Sequence, residues 1–261
     1  MRGTPSDDTS RKARRVGRAP TAGELLPHVP RERVPAAEPV VRTPLGPLAF
    51  AAVLDGRPLP GVPDTLWRLP SGARIARWAG PDADLELLLT AYLPEPTGLS
   101  RVVTEAWAAL WHLRAHRAVR RPAPAVRLAD PPPGTGSGYG GGQYLAALEI
   151  TGAGHDLALA GEDAEAICRR AADGTGVPAR WAGESAAVEE HRHGWGEEYL
   201  WDRHALRWTL PDLLPGEHLL LPVAAAWLPA GPEDDDASAL WAADLRLEVI
   251  LAAAEGPGLR G

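Results

Sequence analysis

Apolar positions become dense only after residue 43. The run "GPLAFAAVLDG" (46–56) is closed by Asp55-Gly56, a turn pair, and predicts a strand. "TLWRLPSGARIARWAG" (65–80) alternates Leu66 with Arg68 and Ile75 with Arg77 about Pro70-Ser71-Gly72, which is the pattern of a hairpin. "ADLELLLTAYLPEP" is too short for periodicity to decide between helix and strand. Pro94 and Pro96 close it quickly and favour a strand.

From Leu99 to Arg121 the apolar residues fall at Leu99, Val102, Val103, Ala106, Trp107, Leu110 and Leu113, a helical stripe. Arg114, Arg117, Arg120 and Arg121 gather where cations complement a helix dipole, and Pro122 and Pro124 end the element. A second helix is predicted over 162–173, with Glu162, Asp163 and Glu165 in its first turns and Gly174 as its stop. Strands are predicted at 124–130, across "QYLAALEITG", up to Ala160, and at Val177 to Trp181. The runs "ALRWTLPDLLPGEHLLLPVAAAWLPAG" and "ALWAADLRLEVILAA" read as two long strands joined by the acidic loop "PEDDDAS".

The elements add up to an α+β fold, an antiparallel-rich mixed sheet with two main helices at about 99–121 and 162–173. One domain is expected over 43–255, with the Pro/Gly-rich 122–142 segment a candidate joint between two lobes. Residues 1–42 carry few apolar positions and read as a disordered basic arm, and 256–261 as a flexible tail.

Composition narrows the function classes. The chain has 261 residues and a net charge of −7, so a broadly basic surface for duplex nucleic acid is not expected. One lysine, Lys12, stands among 27 basic residues and asparagine is absent, the mark of GC-rich coding. The abundance of Arg, Gly and Pro therefore carries little information. A single cysteine, Cys168, allows no intrachain disulfide and fits a reducing cytoplasm. No apolar leader follows the basic start, and no run reaches the ~18 apolar residues of a membrane helix. A cytoplasmic protein with no membrane contact is expected.

"GTGSGYGGG" holds a Gly136-x-Gly138-x-x-Gly141 match to a phosphate-cradling loop. A dinucleotide fingerprint needs a helix behind it and a kinase loop needs a downstream lysine. Neither is present, so the stretch reads as a flexible connector between strands.

The segment "EEHRHGWGEEYLWDRH" (189–204) is the denser signal. On a strand, His191 and His193 leave the same face as Glu189, and Asp202 or His204 could return from a following turn to complete a three-ligand metal site that acidifies water. His112 and His116 share a face on the predicted helix, but arginines surround them and would repel a cation. The group Trp195, Tyr199, Trp201 and Trp208, with arginines beside it, has the composition of a recognition surface.

The reading favoured on this basis is a non-catalytic binding or assembly protein that uses the Trp/Tyr/Arg-rich surface near residues 195–208. Its partner would be a protein or a small ligand, and no cofactor is predicted. The first alternative is a metal-assisted hydrolase built on Glu189, His191, His193 and His204 with a divalent metal. The second is a nucleic-acid accessory protein that uses the basic arm.

Overall fold

The computed structural model describes residues 24–93, 103, 105–139, 144–182, 204–231, 239, 243 and 245–256. Among them the strands are β1 (Glu32–Val34), β2 (Val40–Thr43), β3 (Gly46–Leu54), β4 (Arg57–Pro58), β5 (Thr65–Arg68), β6 (Arg74–Ala79), β7 (Ala83–Tyr92), β8 (Glu105–Ala115), β9 (Ala123–Leu128), β10 (Gly136–Tyr139), β11 (Leu145–Gly152), β12 (His155–Glu162), β13 (Ala205–Arg207) and β14 (His218–Pro229). Two α-helices accompany them, α1 (Ala164–Ala172) and α2 (Leu247–Glu255), with a 3-10 turn over Ala179–Ala182.

The strands form two sheets, in the orders β1-β5-β6-β7-β8-β14-β12-β11-β10 and β13-β9-β3-β2, with β4 paired to β3. Every ladder between the described strands is antiparallel. The chain is therefore sheet-dominated, and the expected mixed sheet resolves into two antiparallel ones.

Alternation along each strand builds the layers. Leu48, Phe50, Val126, Leu128 and Leu206 of the smaller sheet meet Leu85, Leu87, Trp111, Leu148, Leu159 and Leu221 of the larger one in a single inter-sheet core. The opposite face of the large sheet forms a second core around Leu88, Leu110 and Leu220, covered by α2 and by Leu25, Leu26 and Val29. Residues 24–42, expected to belong to the arm, thus supply core side chains and two strands. Residues 1–23 lie outside the described residues.

The helix expected over 99–121 is corrected: Glu105–Ala115 is β8, a central strand hydrogen-bonded to β7 and β14. Both faces of β8 are buried, so its apolar residues run almost continuously, and a continuous run contains a helical stripe as a subset. The second helix is present as α1. Its N-cap Asp163 accepts a 2.8 Å hydrogen bond from the Ala166 N–H.

The strand expected within "ALWAADLRLEVILAA" is corrected too. Leu247, Ile250, Leu251 and Ala254 follow i, i+3, i+4, i+7 spacing, and this face of α2 packs on β7 and β8. The strand expected at Val177 to Trp181 is instead the 3-10 turn, which drives Trp181 into the core.

The glycine stretch also departs from a simple connector, because Gly136–Tyr139 pairs with β11 as the edge strand β10. The hairpin of β5 and β6, the strands β3, β7, β11 and β12, and the Asp55-Gly56 turn form as expected. Asp55 at φ 51° and Gly56 at φ 72° join the paired ends Leu54 and Arg57 in two residues, the backbone that a tight hairpin turn demands. Among the described residues no helix is long and apolar enough to cross a membrane.

Candidate functional site

Of the residues the sequence singled out, Glu189, His191, His193, Trp195, Tyr199, Trp201 and Asp202 lie outside the described residues. His204 and Trp208 are described. The His204 carbonyl accepts the Leu128 N–H at 2.9 Å, and its Nδ1 is buried without a hydrogen-bond partner among the described residues.

Trp208 lies in the inter-sheet core, fully buried, and not on the expected recognition surface. Its Nε1–H donates to the Glu162 carbonyl at 2.8 Å, and its ring fills the space left by Gly161. Among the described residues no group of three His, Cys, Asp or Glu side chains is placed to hold a metal ion.

Two polar clusters compete for attention. The first sits on the outer face of the large sheet, where β7 and β8 bring Asp84, Glu86, His112 and Arg114 together. Glu86 and His112 are both 0% exposed, and His112 Nδ1 lies 3.4 Å from Glu86 Oε2. The same carboxylate oxygen accepts the Leu25 N–H at 2.9 Å. Arg114 and Arg77 donate to Asp84 at 3.1 and 2.9 Å, and Arg77 also reaches Glu24 at 3.0 Å.

Burial alone would raise the Glu86 carboxyl. The hydrogen bonds from His112 and the Leu25 N–H, with the charge of Arg114, outweigh that and hold it below its ordinary value. His218 of β14 stands edge-on to His112 with ring centroids 5.9 Å apart, and burial, then the charge of His112, pushes it down. This cluster is closed to solvent at Glu86 and His112. Its partners are the N-terminal segment and the sheet itself, so its work is to fasten Glu24 and Leu25 to β6 and β7.

The second cluster is open. At one end of the small sheet, where Val53 of β3 pairs with Ala123 of β9 and Arg207 of β13 faces Ala125, a pocket of about 680 Å³ forms. Arg120, Arg121 and Arg207 line it, with Asp55 the single carboxylate among the described lining residues and Thr209 a hydroxyl. Among the described residues none of the three guanidinium groups has an ion-pair or hydrogen-bond partner.

The nearby carboxylates are engaged elsewhere. Asp55 Oδ1 accepts the Arg120 N–H at 2.6 Å, and Asp212 Oδ1 accepts the Arg121 N–H at 2.9 Å. These bonds hold Arg121 at φ 40°, a left-handed conformation that a non-glycine residue adopts only when its surroundings fix it. The backbone is thereby pinned while its two arginine side chains stay available.

Among its described lining residues, a concave site on this chain of net charge −7 thus carries three guanidinium groups against one carboxylate, a local excess that net charge conceals. Planar guanidinium forks match carboxylate and phosphate oxygens two at a time, and the volume falls in the range of small-molecule sites. Sequence reasoning assigned Arg120 and Arg121 to a helix terminus, where they would need no ligand. The available signal was the pair of prolines at 122 and 124, which begins a strand as readily as it ends a helix. No protein-family model and no curated protein matches this chain, so its own geometry carries the functional argument.

Proposed function

We propose that the chain is a non-catalytic binding protein whose arginine-lined pocket holds a small organic anion, a carboxylate- or phosphate-bearing molecule. The observation that carries this reading is the set of three guanidinium groups, on Arg120, Arg121 and Arg207, that outnumber the one carboxylate, Asp55, among the described residues lining one concavity. Leaving cations together costs repulsion, and an anion seated among them removes it. Asp55 is the single acid among the described lining residues and its carboxylate is tied to the Arg120 N–H, so it is poorly placed to act as a general base. Arg207 belongs to the 195–208 stretch that the sequence marked for recognition, with arginine in place of tryptophan as the contact.

Calorimetric titration of the full chain with inorganic phosphate and with succinate tests this. Saturable binding of at least one is expected, weakening as salt is added and lost in Arg121→Ala and Arg207→Ala. Absence of saturable binding for both anions, or binding that both variants retain, overturns the reading.

A further inference from the structure

We infer that the anion bound at Arg120, Arg121 and Arg207 is the head of an amphiphile, whose compact apolar body sits in a second pocket on the other side of the β3–β4 turn. This rests on the anion-binding reading above and adds the chemistry of the rest of the ligand.

The second pocket has a volume of about 280 Å³ and is built on Leu59, Trp78, Leu85 and Val119. Both pockets include Asp55, and their walls are chain neighbours: Val53 and Arg120 face the first, Leu54 and Val119 the second. The tight turn and the 119–121 segment thus form a divider with a cationic side and an apolar side.

The apolar side is held open by groups already satisfied. The Trp78 Nε1–H donates to the Pro60 carbonyl at 2.8 Å, which commits the polar edge of the indole. The Asp64 carboxylate accepts the Ala79 N–H at 2.7 Å, and Asp82 pairs with Arg117 at 3.5 Å. Leu54 and Leu59 are only partly buried although they pack on the inter-sheet core, so apolar surface remains for a ligand to cover.

Charge then orients the occupant. Among the described lining residues the second pocket has Arg57 against Asp55, Asp64 and Asp82, whereas the first has three arginines against Asp55. An anionic head is drawn to the arginine side and repelled from the other, where an uncharged body is preferred. A molecule with one anionic group and a small aromatic or branched apolar body satisfies both pockets.

The experiment compares three probes by calorimetry on the full chain: 1-naphthyl phosphate, 1-naphthol and inorganic phosphate. Naphthyl phosphate is expected to bind at least about tenfold more tightly than either fragment, because the rings bury apolar area that phosphate lacks. Leu59→Asp, and separately the pocket-filling Leu59→Trp, should erase that advantage and leave phosphate affinity within about twofold. Arg121→Ala should weaken both phosphate-bearing probes. Arg121-dependent phosphate binding with no gain from the naphthyl group, or a gain that survives both Leu59 variants, overturns the amphiphile and leaves the anion site standing. Absence of Arg121-dependent binding for either phosphate-bearing probe overturns the amphiphile, and the anion reading falls with it when succinate also fails to bind.

Discussion

His112 Nδ1 lies 3.4 Å from Glu86 Oε2, and both side chains are fully withdrawn from solvent on neighbouring central strands. Removing one member of such a pair leaves the other buried without its partner, which costs about 3–5 kcal/mol, whereas replacing both with apolar groups is often close to neutral. His112→Leu and Glu86→Leu should each lower unfolding free energy in urea by about that amount. The double variant should recover much of the loss. A double variant as unstable as the sum of the singles would show that the two side chains are not coupled.

Acid should weaken the fold in two stages. His218 is held below its ordinary value of 6.5 by burial and by the charge of His112. As pH falls through 6.5 the unfolded chain takes up that proton before the folded one, and stability drops. Glu86 is held below its ordinary 4.5, so its contribution is intact above that pH and is lost as pH falls through the lower folded value. Burial raises Glu162 despite its ion pair with Arg170, and its protonation works in the opposite sense, partly offsetting the second stage. Melting temperatures from pH 8 to pH 3 check this. His218→Gln should remove the first stage, and a first stage of unchanged size in that variant would refute the assignment.

Gly161 and Trp208 form a tight packing pair. A Cβ at position 161 would stand 2.5 Å from Trp208 Cζ2 and 3.0 Å from the Pro222 carbonyl oxygen. Gly161→Ala should therefore destabilise by about 1–3 kcal/mol through overpacking. Combining it with Trp208→Phe should relieve part of the clash, so that the two substitutions are less than additive in thermal unfolding. Full additivity would count against contact at this point.

Much of the sheet was legible in the sequence because its strands carry their own punctuation. Asp55-Gly56 demanded a tight turn, and Pro70-Ser71-Gly72 separated two alternating runs. Strands buried on both faces carry no such signal. In β8 the residues Leu110, Trp111, His112 and Leu113 are all buried, and a period of two vanishes when both faces are apolar. The basic residues after it have the placement that complements a helix dipole, yet Arg114 is spent on Asp84, while Arg120 and Arg121 turn to a pocket that only the meeting of β3, β9 and β13 creates. No local pattern encodes that meeting. Glu189, His191 and His193 were singled out by spacing, which says nothing of convergence.

The place of β14 has a consequence for synthesis. The strands β5 to β8 are laid down as successive neighbours, as are β10 to β12, yet the strand that joins the two groups is made last among them. Until residue 229 has left the ribosome, β8 and β12 each present an unpaired ladder edge flanked by apolar side chains, the form most prone to join the wrong partner. The nascent chain thus carries two sticky half-sheets from the completion of β12 at Glu162 until Pro229 is made, and a twelve-residue strand with ten buried side chains closes them in one step. Production of this protein should therefore respond to chaperone supply and to translation rate more than its final stability would suggest.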